Sequence, residues 1–182
     1  PQLISEEISD HGITYLNCTP SAFYQILEHC KIENLSSLRY VFLGGEPINA
    51  TLLSRMLSLP TTQIVNTYGP TECSDVVAFH NVTSGEIRDK SVIPLGKTVP
   101  GAVLFVLDEN MKRVASDVVG ELYIGGIGVS SGYLNNSNNL SNAFLENPYH
   151  KDEPKSGERI YKTRDLVKRA DDGLLYYIGR ID

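Results

Sequence analysis

Between the apolar pairs Ile64-Val65 and Val76-Val77, the stretch Asn66-Thr67-Tyr68-Gly69-Pro70-Thr71-Glu72 gathers an aromatic ring, a glycine, a proline, a hydroxyl and a carboxylate. Each suits a nucleotide site. Tyr68 offers a π face on which a base can stack, Gly69 admits close backbone approach, and Pro70 stiffens the turn. Thr71 and Glu72 supply the hard oxygen atoms that suit a phosphate and its Mg²⁺. An ordinary loop with Tyr68 packed on the core explains the same residues, and the stretch alone slightly favours that simpler account.

Other candidates have bland alternatives too. Gly44-Gly45-Glu46 ends the apolar run Tyr40-Val41-Phe42-Leu43 and would lay bare backbone beside the first turn, or simply make a tight strand-to-helix turn. Gly126, Gly128 and Gly132 are spaced G-x-G-x-x-x-G with no apolar helix after them, which sets a dinucleotide fingerprint aside. Near the end, Ala170-Asp171-Asp172-Gly173 is a strong turn signal between two strand-like runs. A two-residue turn would set Asp165 opposite Arg180. A three-residue turn with a glycine bulge would set it opposite Gly179 and on the face of Tyr177. A surface ion pair between Asp165 and Arg180 would be worth little. His11, His29, His80 and His150 have no spacing that suggests a metal site or a nucleophile relay.

The elements that must carry these residues change character along the chain. Over 1-80, apolar runs at 13–17, 38–43 and 62–66 alternate with helical patterns, which predicts an α/β layer with a largely parallel sheet. Thr19-Pro20 starts a helix whose Phe23, Ile26, Leu27 and Cys30 share one face. Asn49 caps a second helix with Leu52, Leu53, Met56 and Leu57 on its apolar face, and Pro60 stops it. Over 81-182, turns separate short strands at 102–108, 120–126, 159–169 and 174–180, which predicts an antiparallel, barrel-like β subdomain. The Asn-rich stretch from Gly132 to Pro148 reads as a solvated loop leading into a short helix through Leu140, Ala143 and Phe144.

The 182 residues, 41% hydrophobic and 21% charged, are those of a globular chain able to build a sizeable core. A net charge of −6 with scattered basic residues lacks the basic patch of a nucleic-acid binder. No apolar run is long enough for a membrane helix, and the N-terminal stretch has no signal-peptide pattern. The expectation is a cytoplasmic protein with no membrane partner. Cys18, Cys30 and Cys73 match no zinc or disulfide pattern and read as buried thiols of a reducing compartment. The start at Pro1 and the stop at Asp182, inside ordered-looking sequence, suggest a piece of a longer protein.

Seven segments in order, from ITYLNCTPSAFYQIL through LRYVFLGGEPI, NTYGPTE, IPLGKTVPGAVLFVLDEN, GELYIGGIGVSSGYLNN and YKTRDLV to YYIGRID, resemble the adenylation domains of nonribosomal peptide synthetases. These belong to the adenylate-forming enzymes, and the resemblance covers essentially the whole chain. It implies a ligase that converts an amino acid and Mg·ATP to aminoacyl-AMP and pyrophosphate, then passes the acyl group to the phosphopantetheine thiol of a carrier protein. It implies that Tyr68 stacks on adenine, flanked by Gly44, Gly45 and Glu46, with Asn66 and Thr67 at the adenine edge. Thr71 faces the phosphates and Glu72 the metal. Asp165 accepts from the ribose hydroxyls, which suits a carboxylate, while Tyr177 and Arg180 approach the ribose and phosphate. Sharing the ribose requires Asp165 and Tyr177 to share a face, so the resemblance favours the three-residue, bulged register.

The amino-acid pocket would be lined by Asn17, Phe42, Gly44, Thr67, Asp75 and Val76. A buried Asp75 needs a partner, which suggests a substrate side chain carrying a hydrogen-bond donor. Asp182 matches the hinge before the family's small C-terminal domain. Two positions depart from the family pattern: Arg164 replaces a glycine, and Ser130-Ser131 replace Ala-Arg. The family's phosphate loop, the aspartate for the substrate's amino group and the C-terminal lysine are not in this sequence, so the 182 residues alone are expected to be inactive. An acyl-CoA or aryl-acid ligase of the same group and a catalytically incomplete nucleotide-binding fragment are the alternatives.

Overall fold

The computed structural model describes residues 1–134 and 143–181. They form two compact units, one of Pro1–Thr67 with His80–Pro94 and the other of Tyr68–Phe79 with Leu95–Asp182.

The first unit is a layer of helices on a parallel sheet. Strands β1 (Tyr15–Cys18), β2 (Tyr40–Gly44) and β3 (Gln63–Tyr68) pair in parallel, with Asn17 opposite Phe42 and Gly44 opposite Thr67. Helix α1 spans Gln2–Asp10 and α2 spans Pro20–His29. Thr19 caps α2 by accepting the Ala22 amide at 3.3 Å, with Pro20 in the first turn, as the sequence predicts. Phe23, Ile26 and Leu27 of α2 meet Val41 and Leu43 of β2 and Ile64 of β3 in one buried cluster.

The second predicted helix departs in detail. Asn49 does cap it, accepting the Thr51 amide at 3.0 Å, but Ala50–Ser58 is a 3₁₀ helix. With three residues per turn, the buried positions fall at Ala50, Leu53 and Met56, while Leu52 is exposed and Leu57 is partly buried. Helix α3 (Ser84–Asp89) closes the unit with a reciprocal capping box between Thr83 and Glu86.

In the second unit, the first residues of β4 (Ala78–Val82) pair antiparallel with β5 (Lys97–Thr98). Strands β6 (Ala102–Leu107), β7 (Val119–Gly126), β8 (Phe144–Glu146), β9 (Arg159–Arg169) and β10 (Leu175–Arg180) then build a curled antiparallel sheet whose main path runs β10-β9-β7-β6. Strand β9 is the centre of this sheet. One edge of it pairs with β7, and the other is shared by β8 near its start and β10 near its end. Leu104, Val106, Leu122, Ile124, Val167 and Leu175 pack on one face, and Phe105, Leu107, Tyr123 and Ile160 on the other.

Phe144 begins a strand, not the short helix expected there, and Leu140 lies outside the described residues. β-Pairing to Tyr161 holds Phe144 in extended form. All three cysteines are free; Cys30 and Cys73 are buried, whereas Cys18 is only half-buried, contrary to expectation, because it sits on β1, the edge strand of its sheet. No described helix is long and apolar enough to cross a membrane.

Candidate functional site

The Tyr68–Val77 turn is a closed backbone loop. The Val77 amide donates to the Tyr68 carbonyl at 2.8 Å, and Thr71–Cys73 forms one 3₁₀ turn between them. Ser74 and Asp75 both adopt positive φ, at 63° and 72°, to bring the chain back. The return passes so close to Gly69 that a Cβ there would collide with the Asp75 carbonyl oxygen. Gly69 is therefore required for close approach of the loop to itself. Asp75, expected to be buried, is exposed at the tip of this return. The inference of a donor-bearing substrate side chain thereby loses its premise. Val76 beside it is half-buried.

Tyr68 is packed and bonded at once. Its ring packs beside the sheet core, and its hydroxyl donates to Asp165 Oδ2 at 2.5 Å. Burial, and then the bond to Asp165, push the phenol pKa well above its ordinary value, so Tyr68 is a fixed neutral donor. Asp165 is buried at 7% exposure, and Arg180 Nη1 reaches its other oxygen at 3.4 Å. The Asp165 amide donates to Thr163 Oγ1 at 2.9 Å, and that hydroxyl donates to the Leu122 carbonyl at 2.7 Å. The carboxylate is thus anchored from both sides, yet its four lone-pair sites leave room for further donors.

The final hairpin overturns the predicted choice of register. Near the turn the pairing is that of a three-residue loop, with Gly173 at φ 84° and Tyr177 opposite Val167. A second irregularity at Ile178 then shifts the ladder by one, and Asp165 stands directly opposite Arg180. The bulge absorbs one residue, so Tyr177 and Arg180, three apart in sequence, both come to the face of Asp165. Burial and the Asp165 charge raise the Tyr177 pKa, and Arg180 partly offsets them.

Arg164 stands at φ 64°, between the part of β9 that pairs with β8 and the part that pairs with β10. Its carbonyl accepts the Ile181 amide at 2.8 Å. A positive φ is what glycine adopts without strain, which gives the glycine expected here from the resemblance a physical reason. Asp182 lies outside the described residues.

Glu72 is the carboxylate of the turn. Tyr133 donates to its Oε1 at 2.5 Å, and the Ser130 amide donates to its carbonyl at 2.9 Å. Burial alone would raise the Glu72 pKa; hydrogen bonds from Tyr133, its own backbone and Tyr161, with the Arg180 charge, outweigh it and leave the group below its usual value. Sequence reasoning missed Tyr133, Tyr161 and Thr163. Tyr133 is 61 residues from Glu72, and no local pattern joins positions so far apart.

In the first unit, Asn17, Phe42, Gly44 and Thr67 lie on neighbouring strands in register, and the alternation of β-strands puts them on one face of the sheet. Asn17 is exposed there and Phe42 half-buried, its ring 5.0 Å from that of Tyr15. Asn66 points to the opposite face, buried, and its Nδ2 donates to the Pro94 carbonyl at 2.7 Å. Gly45 has φ 83°. Glu46 is turned to α2, where it accepts the Ser21 amide at 3.0 Å and the Ser21 hydroxyl at 2.9 Å, the favourable place for a carboxylate at a helix start.

The AMP-binding enzyme family matches residues 1–134, and the chain belongs to that family. It is 40% identical over 99% of its length to one of the plipastatin synthase proteins of Bacillus subtilis (strain 168), of which it spans 7%. It is 39% identical over its full length to malpinin synthetase of Mortierella alpina, of which it spans 2%. Its fold is that of PA1221, described as an NRPS protein containing adenylation and PCP domains, at TM-score 0.86 and 29% identity over 99% of this chain and 36% of that one. The chain therefore spans a small part of the curated relatives it matches.

Proposed function

We propose that the protein containing this chain activates an amino acid. The substrate carboxylate attacks the α-phosphorus of ATP, an acyl-phosphate bond forms as the bond to pyrophosphate breaks, and aminoacyl-AMP results. The phosphopantetheine thiol of a carrier protein then attacks the carbonyl carbon, losing its proton, and a thioester forms as the acyl–phosphate bond breaks and AMP leaves. The observation that carries this reading is the Tyr68–Asp165 pair: a tyrosine fixed on the turn by a buried carboxylate that retains acceptor capacity. Similarity to peptide synthases over 99% of the chain, and to a solved protein that joins adenylation and PCP domains, supports the choice of acid and acceptor.

In this reading Tyr68 bears on adenine, while Asp165, with Tyr177 and Arg180 on its face, binds the ribose side of the nucleotide. Gly44, Gly45 and Thr67 belong to the adenine end, and Asn17, Phe42, Gly44, Thr67 and Val76 to the amino-acid end; Asn66, turned to the other face and bonded to Pro94, takes no side-chain part. Thr71 and Glu72 offer hard oxygen donors. Such oxygen donors suit Mg²⁺, an ion that keeps several waters and takes its remaining ligands from phosphates. When bound, Mg²⁺ would neutralise charge on the pyrophosphate that leaves.

ATP–pyrophosphate exchange by the intact protein tests this reading. Exchange stimulated by at least one amino acid is expected; stimulation only by aryl or fatty acids would replace it with an acyl-CoA or aryl-acid ligase.

A further inference from the structure

Glu72 lies in a half-buried shelf that is more elaborate than its turn requires. The backbone of the turn is already clasped by the 126–131 segment: Ser130 N–H donates to the Glu72 carbonyl at 2.9 Å, and Ser74 Oγ donates to the Gly128 carbonyl at 3.0 Å. Gly128 comes so near that a Cβ would stand 2.9 Å from the Cys73 carbonyl oxygen. These contacts hold the main chain without any help from the Glu72 side chain.

The side chain is fixed separately. Tyr133 donates to Glu72 Oε1 at 2.5 Å, and the Tyr161 phenol bears electrostatically on the same pair. The two phenols are themselves held by packing. Tyr133 meets Phe144 edge-on at 5.4 Å, and Phe144 meets Tyr161 at 5.3 Å, with Tyr161 buried on β9. A free glutamate on a turn loses rotamer freedom when a ligand immobilises it. Here that freedom is removed beforehand, by groups with no other partner for their hydroxyls among the described bonds.

We infer that Tyr133, backed by Tyr161 and Phe144, is a positioning residue that pre-orients the Glu72 carboxylate toward the cation of Mg·ATP. The inference rests on the reading of Glu72 as a cation ligand. It adds a residue from the 126–134 segment to the nucleotide site, and the outer partner of a ligand commonly sets metal affinity.

The test measures binding of a non-hydrolysable ATP analogue to the intact protein across a Mg²⁺ series, and binding of AMP without Mg²⁺. Tyr133→Phe keeps the ring against Phe144 and deletes only the hydroxyl. The expected result is an analogue affinity about tenfold weaker at low Mg²⁺, recovery at high Mg²⁺, and unchanged AMP affinity. Unchanged analogue binding at every Mg²⁺ concentration would overturn the inference, as would an equal loss for AMP and the analogue, the signature of a damaged turn. Glu72→Gln separates the two levels. If it removes the Mg²⁺ dependence while Tyr133→Phe does nothing, only the positioning role fails; if Glu72→Gln itself leaves that dependence intact, both fail.

Discussion

At the scale of residues, the chain holds backbone strain at a non-glycine position. Arg164 occupies the left-handed region at φ 64°, which costs a non-glycine residue about 1–2 kcal/mol, partly offset by the greater unfolded-state entropy of glycine. Arg164→Gly is therefore expected to raise stability by about 0.5–1 kcal/mol in urea unfolding; a loss of stability would show that Arg164 makes compensating contacts. Gly69→Ala should act oppositely, costing about 1–3 kcal/mol by overpacking, because the Asp75 carbonyl fills the space a Cβ needs; an unchanged denaturation midpoint would contradict the close approach. Tyr68 and Asp165 were each legible as candidates from their own turn and hairpin, but only the resemblance joined them in one site, since 97 residues separate them. The burial of one and the hydroxyl donation of the other depend on sheet curvature that no local pattern encodes. Exposed Asp75 shows the converse: its acidity was visible, but its environment followed from two successive positive-φ residues at the return of the turn.

At the scale of elements, periodicity reported type well where it was pure and less well where it was mixed. The strand-like run Arg159–Arg169 became one strand, and the Phe23, Ile26, Leu27 spacing became the buried face of α2. The apolar set Leu52, Leu53, Met56 and Leu57 has α spacing, but the segment is a 3₁₀ helix that leaves Leu52 exposed. The hairpin register also escaped, because a second bulge at Ile178 undid the offset introduced by the Gly173 turn. Helix α3 gives an electrostatic prediction at this scale. Burial opposes ionisation of Glu86, but the Thr83 amide and hydroxyl, with His80 at 2.9 Å, outweigh it and hold its pKa below the usual value. A depressed folded pKa contributes stability that is present above the unfolded value of about 4.3 and lost as pH falls through the folded one. Wild type should exceed Glu86→Gln in stability at neutral pH, and the gap should close on acidification below about pH 4. A gap that stays constant with pH would exclude the ionised carboxylate as its source.

At the scale of the whole molecule, the chain divides into an α/β layer and a curled antiparallel sheet. The change from helical to glycine-rich punctuation near residue 81 announced both kinds of architecture. It did not announce that the chain crosses between them, since Tyr68–Phe79 belongs with the β unit and His80–Pro94 with the α/β unit. That crossing places the Tyr68 turn and Asp165 in the same compact unit. If this pair forms the ribose-side grip of an adenylate site, AMP binding to the intact protein reports it most directly. Deleting a charged hydrogen-bond acceptor is worth about 1.5–3 kcal/mol, so Asp165→Ala should weaken AMP binding by about ten- to a hundredfold. AMP affinity unchanged by Asp165→Ala would contradict that role.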